Sequence, residues 1–329
     1  MIAHLFSRKR STVLATALAG CLGAAASFNV MALDKVHFLI PGGAGGGWDS
    51  TARGTGEALS KAGLVDTISY ENMSGGGGGK AIAHLIEAAA QADDTLMVNS
   101  TPIVIRSLSK VFPQSFRDLT PVAATIGDYG AFVVRADSPY TSFEQVVEDF
   151  NNNPRSVKVA GGSARGSMDH LVAALAFKAA GGDPRRVKYV AYDAGGKAMA
   201  SLLSGETSVL STGLSEALTL AEAGQVRVLV MTGNSRSDAA PEVPTLKELG
   251  YDASFVNWRG FFGAPGLSDE KKAEFVDTLM QMYDSPEWEK VRARYGWSEI
   301  FKPGDEFVAF LESQEQSVGG LMKELGFLK

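Results

Sequence analysis

The feature that most constrains this chain is a repeated order of short apolar runs that end in loops rich in Gly, Ser, Thr and Asp. A three-run pattern near the start returns about 115 residues later, and helix-like stretches follow the loops. The six runs span residues 35–40, 66–71, 95–99, 156–160, 187–191 and 207–211. Strands that alternate with helices predict an α/β protein with largely parallel sheets.

The ends of these strands predict where a ligand binds. In open α/β sheets, ligands bind outside the carboxyl ends of the strands, so two facing sheets would form a cleft lined by six loops. The chain crosses between its halves at residues 131–139 and returns at 254–266. We predict two domains joined by a hinge: residues 33–133 with 258–329, and residues 134–257. The alternative is a chance similarity between α/β units.

The tail of the chain, residues 268–328, is predicted to be helical and to pack back on the first domain. Ser268 with Lys271, and Pro286 with Glu287, supply the start signals for its helices.

The N-terminus has the features of a secretory signal peptide. Three basic residues at positions 8–10 precede an apolar stretch, and small residues stand at the cleavage positions 30 and 32. We predict removal of residues 1–32 and a periplasmic location. The alternative is lipoprotein processing, because LAGC matches a bacterial lipoprotein box that would place a lipid anchor on Cys21.

Composition and charge argue against several classes of function. The full chain has a net charge of −6, and the predicted signal peptide contains three cations and no acid, so the mature part carries −9. This charge argues against nucleic acid as a partner. Cys21 is the only cysteine, so the mature part has no thiol for catalysis or metal binding. After Ala32 no apolar run reaches transmembrane length, which predicts a soluble body.

Histidine positions argue against a metal site and against an enzyme. His37 and His84 have no carboxylate or histidine at metal spacing. His170 follows Ser167 by three residues on one helix face, but the hydrolase motif G-x-S-x-G is missing, since Arg165 takes the place of the last glycine of such a motif around Ser163. We predict that His170 packs its helix, that the protein is not an enzyme, and that it needs no cofactor and no metal.

The glycine-rich loop PGGAGGGWDSTAR, residues 41–53, lies between a predicted strand and a predicted helix. Its glycines do not fit the spacing of a dinucleotide fingerprint, and SGGGGGKA, residues 74–81, does not fit a P-loop. The strand–loop–helix geometry still directs backbone N–H groups and a helix N-terminus at an anion. The loop therefore predicts a small carboxylate ligand, and the alternative is a turn without any ligand.

Six segments form a specific combination when they are taken in order. They are PGGAGGGWD (41–49), the glycine run 75–79, DYGAFVVRADSP (128–139), GGSARGSMDH (161–170), YVAYDAGG (189–196) and RGFFGAP (259–265). In this combination the chain resembles the extracytoplasmic solute receptors of the tripartite tricarboxylate transporter family, the TctC/Bug proteins. The resemblance covers nearly the whole mature chain. It implies an α/β, periplasmic binding protein-like (type II, Venus flytrap) fold, no catalysis, and an organic acid held by backbone N–H groups, small hydroxyls and water.

The resemblance and the strand-end loops together give a set of candidate ligand contacts. They are Gly43, Gly46, Gly47, Trp48, Asp49, Gly78, Asn99, Ser100, Thr101, Ser163, Arg165, Gly166, Ser167, Asp193, Gly195, Gly196 and Ser215. Asp49 and the two serines of residues 163–167 have an alternative role as helix caps. Arg165 and Lys197 are candidates to pair with an extra carboxylate of the ligand, whereas Arg259 is interpreted as structural. Trp48 stands where many family members have Thr or Ser, which favours citrate or a relative.

The resulting hypothesis is a periplasmic binding protein that closes around a di- or tricarboxylate. It would deliver this ligand to large and small membrane permease subunits and act as a monomer. Two other classes stay open. One is a sensor that reports the same ligand to a membrane kinase, and the other is an enzyme acting on a small acid, for which no positioned base or metal is evident.

Overall fold

The first three predicted strands form one edge of a parallel sheet in the computed structural model, which describes residues 32–329. The elements of this part are β1 (Leu33–Ile40), α1 (Gly47–Lys61), β2 (Val65–Asn72), α2 (Gly79–Glu87), β3 (Thr95–Ser100) and α3 (Thr101–Leu108). Strand β1 lies between β2 and β3 and pairs in parallel with both, as predicted. β2 is the edge strand and is largely exposed, whereas β3 is buried from its second residue onward.

The later three predicted strands form a second parallel group. The elements of this part are α4 (Phe143–Asn152), β5 (Lys158–Gly161), α5 (Met168–Ala179), β6 (Lys188–Ala191), α6 (Gly195–Leu203), β7 (Val209–Gly213), α7 (Leu214–Glu222) and β8 (Val226–Met231). Strand β5 pairs in parallel with β6 and with β7, which confirms the repeat that was predicted from the sequence. All residues of β7 are buried, as expected for a central strand with both faces covered.

Two long antiparallel strands join the two parallel groups: β4 (Thr120–Arg135) and β9 (Val256–Gly263). Residues 120–129 of β4 pair with β9, and residues 130–135 pair with β7 and β8. The resulting strand order is β2-β1-β3-β9-β4-β7-β5-β6. We call β1, β2, β3, β9 and residues 120–129 of β4 the first sheet segment. The second sheet segment consists of residues 130–135 of β4 with β5, β6, β7 and β8. The change of partners within β4 lies four residues before the predicted domain boundary at residue 133.

The tail contains α8 (Asp269–Tyr283), α9 (Pro286–Tyr295), β10 (Ser298–Pro303) and α10 (Gly304–Glu324). The prediction of a wholly helical tail is therefore wrong for β10, which pairs antiparallel with β4. This short run adds to the sheet because its apolar residues Ile300 and Phe301 pack against the hydrophobic core, and Pro303 then ends it. The prediction that the tail packs on the first part is confirmed, since Phe275 and Trp288 share a buried cluster with Phe38 of β1.

Within residues 32–329, no helix is long and apolar enough to cross a membrane. The same residues contain no group of three or more His, Cys, Asp and Glu side chains that could hold a metal ion. The predicted signal peptide, apart from its last residue Ala32, and the alternative lipid anchor at Cys21 lie outside the described residues.

Candidate functional site

A cavity of about 260 Å³ opens at the carboxyl ends of the parallel strands, where the six predicted loops meet. Each loop contributes at least one residue to its wall, and β9 adds Asn257 and Arg259. The lining residues are Pro41, Gly42, Gly43, Gly46, Gly47, Trp48, Ser74–Gly78, Ser100, Pro102, Gly162–Arg165, Ser167–Asp169, Ala191–Gly195, Glu216, Asn257 and Arg259. Both sheet segments therefore build the wall of one cavity.

Five helices begin at this cavity. The residues that precede their first turns all line it: Gly46 for α1, Gly78 for α2, Ser100 for α3, Ser167 for α5 and Ala194 for α6. None of these five residues caps its helix with a side-chain hydrogen bond. The first N–H groups of a helix have no partner within the helix, and its N-terminus carries partial positive charge. The cavity is thus lined with backbone groups that favour an anion.

Close backbone approach explains two of the lining glycines. A Cβ on Gly162 would overlap the backbone of Ala194 and Gly195, so this glycine lets the β5–α5 loop lie directly against the start of α6. A Cβ on Gly47 would overlap the guanidinium of Arg259 and approach the carboxylate of Glu216. These glycines bring helix N-termini and buried charges into one wall, which a larger residue would prevent.

Arg259 and Asp128 form a buried ion pair beneath the cavity. Arg259 Nη2 lies 2.7 Å from Asp128 Oδ2, and the two side chains are 2% and 1% exposed. Arg259 also donates to Thr51 Oγ1 at 3.2 Å, and Ser215 Oγ donates to Asp128 Oδ2 at 2.6 Å. Because β4, β9, α1 and α7 supply these groups, the pair fixes the place where the two sheet segments meet.

Two further carboxyl groups line the cavity itself. Glu216 Oε2 accepts a hydrogen bond from Thr212 Oγ1 at 2.9 Å, and its Oε1 lies 3.8 Å from Arg259 Nη2. Burial raises the pKa of Glu216, although the charge of Arg259 opposes this rise. Burial, together with the charge of Glu216, raises the pKa of Asp169 to about 7. Desolvation disfavours the charged form of both groups.

The two sheet segments also touch beside the cavity. Arg106 Nη1 of α3 donates to the carbonyl oxygen of Arg165 at 3.3 Å, and Arg165 Nη2 donates to the carbonyl oxygen of Tyr189 at 2.6 Å. Arg106 is 6% exposed, its Nε has no hydrogen-bond partner among the described residues, and burial lowers its pKa. His170 stacks on Tyr189 and contacts Phe327 edge-on, as expected for a residue that packs its helix. Burial lowers the pKa of His170 to about 4.

Eleven of the seventeen candidate ligand contacts line the cavity. They are Gly43, Gly46, Gly47, Trp48, Gly78, Ser100, Ser163, Arg165, Ser167, Asp193 and Gly195. Trp48 Nε1 donates to Ser100 Oγ at 2.8 Å, so these two residues form one part of the wall. Ser163 Oγ accepts a hydrogen bond from the backbone N–H of Asp169 at 3.0 Å and thus orders the start of α5.

The other six candidates do not line the cavity: Asp49, Asn99, Thr101, Gly166, Gly196 and Ser215. Asp49 accepts hydrogen bonds from the Gly45 N–H and from Arg53 and Asn72, which shapes the glycine-rich loop. Asn99 accepts from the Ser100 N–H, the Gly166 N–H donates to His170, and Ser215 holds Asp128. Asp49, Asn99, Gly166 and Ser215 thus make hydrogen bonds within or next to the loops that form the wall.

Six polar residues of the wall were not among the candidates: Ser74, Asp169, Tyr192, Glu216, Asn257 and Arg259. Asp169 and Glu216 lie inside loops that the sequence already marked, so their position at strand ends was available as a signal. Asn257 and Arg259 come from β9, which was predicted only as a return crossing. Asn257 and Arg259 are two residues apart on one strand, so their side chains point to the same face of the sheet. This spacing was already visible in the sequence.

Comparisons with known proteins agree with this geometry. A family model described as "Tripartite tricarboxylate transporter family receptor" matches residues 51–327. Protein BugT from Bordetella pertussis (strain Tohama I) is 24% identical over 296 residues, which cover 88% of this chain and 89% of that protein.

Solved structures show the same fold. The periplasmic binding protein BugD has a TM-score of 0.80 at 19% identity, covering 89% of this chain and 98% of that chain. MatC from Rhodopseudomonas palustris, with bound malate, has a TM-score of 0.76 at 20% identity, covering 88% and 98%. The predicted periplasmic binding protein-like α/β fold is confirmed by these similarities.

Proposed function

Because the chain belongs to the tripartite tricarboxylate transporter receptor family, a family of solute-binding receptors, we propose that it binds a di- or tricarboxylate of about the size of citrate. It acts as a monomer in the periplasm, and it delivers the ligand to large and small membrane permease subunits. No chemical step is part of this function.

The observation that carries the proposal is the convergence of five helix N-termini on one cavity, none of them capped by the side chain of the residue that precedes the helix. A carboxylate supplies further hydrogen-bond acceptors for the first turns of these helices, of which α5 already has one in Ser163 Oγ. Each N-terminus stabilises a nearby anion by about 0.3–1 kcal/mol when exposed, and by up to about 2 kcal/mol in a partly buried geometry. The bound malate of MatC, which shares the fold, supports the same class of ligand.

Closure of two domains around the ligand is the second part of the proposal. The domains are residues 33–133 with 258–329, and residues 134–257. Support comes from the contact of Arg106 with the Arg165 carbonyl group and from the approach of Gly43 to Ala194, since both join the two sheet segments beside the cavity. Strand β4 runs from the first sheet segment into the second, and the chain returns just before β9, whose Val256 pairs with Tyr129 of β4. Two such crossings suit a hinge. Closure is driven by the higher affinity of the closed state for the ligand.

A thermal-shift screen of residues 33–329 tests the ligand class. The panel contains citrate, isocitrate, tricarballylate, succinate, malate and NAD, with dimethyl succinate as the uncharged control. A ligand at 100 times its Kd is expected to stabilise the fold by about 2.7 kcal/mol. A shift with at least one carboxylate and none with the diester supports the proposal. A shift with NAD alone contradicts the proposal, and so does the absence of a shift with every acid.

A second experiment tests the delivery step. Protein loaded with the ligand found in the screen is used to capture partners from solubilised membranes, and ligand-free protein is the control. Ligand-dependent capture of permease subunits is expected. Ligand-dependent capture of a membrane kinase would assign the protein to sensing instead.

A further inference from the structure

Helix α10 packs along the elements around the first sheet segment. Phe307, near the start of the helix, is buried against Trp258 and Phe262 of β9. A Cβ on Gly319, further along the helix, would lie 3.5 Å from Leu108 of α3, so these two helices are in close contact. The body of α10 is therefore fixed to the first part of the fold.

Residues 325–328, which we call the α10 extension, turn back where the helix ends. Gly326 has φ +80°, and its N–H donates to the carbonyl oxygen of Lys323 at 3.1 Å. The N–H of Phe327 donates to the carbonyl oxygen of Met322 at 2.8 Å. This pair of bonds is the Schellman motif, in which a glycine takes the left-handed position. The motif fixes the direction of the chain after α10 and so the place of Phe327.

Phe327 lies against elements of the second sheet segment. Its ring meets the His170 ring of α5 edge-on, with centroids 4.9 Å apart and planes at 82°. Aromatic pairs favour this geometry. A Cβ on Gly166, in the β5–α5 loop, would lie 3.9 Å from Phe327 Cδ1. A residue that follows a helix of the first part thus contacts α5 and the loop that precedes it.

His170 and its stacking partner Tyr189 both hold the β5–α5 loop. His170 Nδ1 accepts a hydrogen bond from the Gly166 N–H at 3.0 Å. Tyr189 is stacked on His170 with centroids 4.6 Å apart, and its hydroxyl donates to the carbonyl oxygen of Ser163 at 2.6 Å. Ser163 and Ser167 of this loop line the cavity. The position of the His170 ring therefore affects where these two serines lie.

The extension is held by apolar packing more than by charge. Glu324 of α10 forms an ion pair with Lys178 of α5, but the two side chains are 62% and 34% exposed. Exposed ion pairs contribute little to stability. Leu325 is 2% exposed and belongs to the same buried cluster as Leu171 of α5. Packing of Leu325 and Phe327 thus joins α10 to α5, since burial of apolar surface is the stronger effect.

We propose that Phe327 is a positioning residue for ligand binding, which holds the β5–α5 loop in its binding position through His170. Phe327 does not line the cavity, so it acts on the loop and not by contact with the ligand. The inference rests on the proposed function, because it concerns the same cavity and the same carboxylate. Without the Phe327 ring, the loop takes its binding position for only a fraction of the time, and the apparent affinity falls by that fraction.

Phe327→Ala tests the proposal by isothermal titration calorimetry with citrate, tricarballylate, succinate and malate. The affinity for each acid that the wild type binds is expected to fall about tenfold, which corresponds to about 1.4 kcal/mol. Phe310→Ala is the matched control. Phe310 is also a half-buried ring on α10 and meets a ring edge-on, that of Trp258, with centroids 6.0 Å apart. The control is expected to lose stability but to keep the wild-type affinity.

Amide hydrogen exchange of the ligand-free protein tests the position of the loop directly. The amides of Gly166 and Asp169 donate to His170 and Ser163. Their exchange is expected to be about tenfold faster in Phe327→Ala than in the wild type, because the loop opens more often. Phe310→Ala is expected to leave it unchanged. Unchanged exchange in Phe327→Ala would indicate that Phe327 only completes the end of α10, and would overturn the inference.

A double variant tests the route through His170. His170→Leu removes the acceptor of the Gly166 N–H and is expected to weaken ligand binding by itself. Adding Phe327→Ala is expected to weaken binding by less than about a further twofold, because residues that act through one contact are not additive. Fully additive losses would overturn the inference. Where His170→Leu does not fold, the exchange of Phe327→Ala decides.

The outcomes separate this inference from the proposed function. Weaker binding together with faster exchange in Phe327→Ala supports both. Equal affinity of Phe327→Ala and the wild type for a carboxylate overturns the inference while it supports the proposed function. Failure of the wild type to bind any of the four acids overturns the proposed function, and the inference with it.

Discussion

The helices that begin at the cavity differ from the first two helices of the tail in how their first N–H groups are satisfied. Ser268 Oγ accepts from the Lys271 N–H at 3.1 Å and caps α8, and Ser285 Oγ accepts from the Trp288 N–H at 3.2 Å and caps α9. At the cavity, Ser100 and Ser167 occupy the same position but do not cap their helices. The same residue type at the same position thus caps its helix in one region and makes no capping hydrogen bond in the other.

The candidate site is therefore defined by several helix N-termini that meet at one cavity, and not by the absence of a side-chain cap alone. Helix α4, which begins after Ser142, and α10, which begins after Pro303, also lack a side-chain cap, but neither starts at the cavity. Their N-terminal groups are available to water one helix at a time. At the cavity, five N-termini share one volume, where their partial charges add and water screens them less than on a flat surface.

Arg259→Gln is the substitution with the largest expected effect on stability. The stability of the cavity region depends on a buried ion pair, whereas that of the tail surface does not. The substitution leaves Asp128 buried without its cation. We expect the free energy of unfolding to fall by about 3–5 kcal/mol, as when one partner of a buried ion pair is removed. Urea denaturation followed by circular dichroism measures the change.

Arg236→Gln is the matched control for this substitution. Arg236 and Glu248 form an ion pair whose side chains are 43% and 46% exposed. Exposed pairs contribute about 0–1 kcal/mol, so the control is expected to stay close to the wild type. A loss of the same size in both variants would show that burial of the Arg259 pair has no special role.

Gly162→Ala tests the close packing that brings the start of α6 to the cavity. The added Cβ meets backbone atoms of Ala194 and Gly195, which cannot move without displacing the helix. We expect a loss of stability of about 1–3 kcal/mol, as for overpacked sites, and loss of carboxylate binding. Thermal unfolding and calorimetry measure the two effects.

Gly320→Ala provides the opposite control in the tail. A Cβ at Gly320, inside α10, meets no atom within 4 Å. Alanine is favoured over glycine in a helix interior by about 1 kcal/mol, so this variant is expected to be slightly more stable and to bind normally. Unchanged ligand binding in Gly162→Ala would contradict the role assigned to this contact.

Much of the fold could be predicted because the strands and their loops are local in the sequence. The three strands of each half, their parallel pairing and the cavity at their carboxyl ends follow from apolar runs that end in Gly, Ser and Thr. β10 was missed because its pairing with β4 depends on a contact between distant parts of the chain. Its six residues carry too little pattern to separate a strand from a helix.

The residues that line the cavity were likewise predicted only where local sequence motifs mark them. Glycines and serines of the loops were predicted from motifs, whereas Asn257 and Arg259 were not predicted as cavity residues because their strand reaches the site only through tertiary pairing. The negative charge of Asp49 would repel an anion. In the structure Asp49 does not line the cavity, and its carboxylate accepts a hydrogen bond from the Gly45 N–H. Local sequence indicates which loops meet, but not which of their side chains face inward.

The pH dependence of stability distinguishes the cavity from the tail through Asp169. Its pKa is about 7 in the folded protein and 3.8 in an unperturbed chain, so the folded state binds the proton more tightly. Asp169 by itself therefore contributes a loss of stability as pH rises from about 4 to 7, by up to about 1.4 kcal/mol per pH unit. His170, with its pKa lowered from 6.5 to about 4, acts in the opposite direction over this range.

Asp169→Asn is expected to reveal the contribution of His170. In this variant, stability rises as pH increases from about 4 to 6.5, because only the unfolded chain binds the histidine proton there. Urea denaturation at several pH values from 4.5 to 7.5 measures the slope. Asp305→Asn, at a side chain that is 99% exposed, is the control and keeps the wild-type profile. A variant profile that matches the wild type would contradict the assigned pKa of Asp169.

The smallest expected effects come from the capping serines, and they test the comparison most directly. Ser268→Ala and Ser285→Ala remove side-chain caps, so each is expected to lower the free energy of unfolding by about 1 kcal/mol and to leave ligand affinity unchanged. Ser167→Ala removes a serine at the same helix position that makes no capping hydrogen bond. Its stability is expected to change by less than about 0.5 kcal/mol, while its affinity for the carboxylate falls several-fold, since a ligand contact of about 0.5–1.5 kcal/mol is lost. The reverse result, a destabilised Ser167→Ala protein with normal affinity, would mean that Ser167 completes its helix as Ser268 does. The difference between the two regions would then lie in the glycine loops alone and not in the serines.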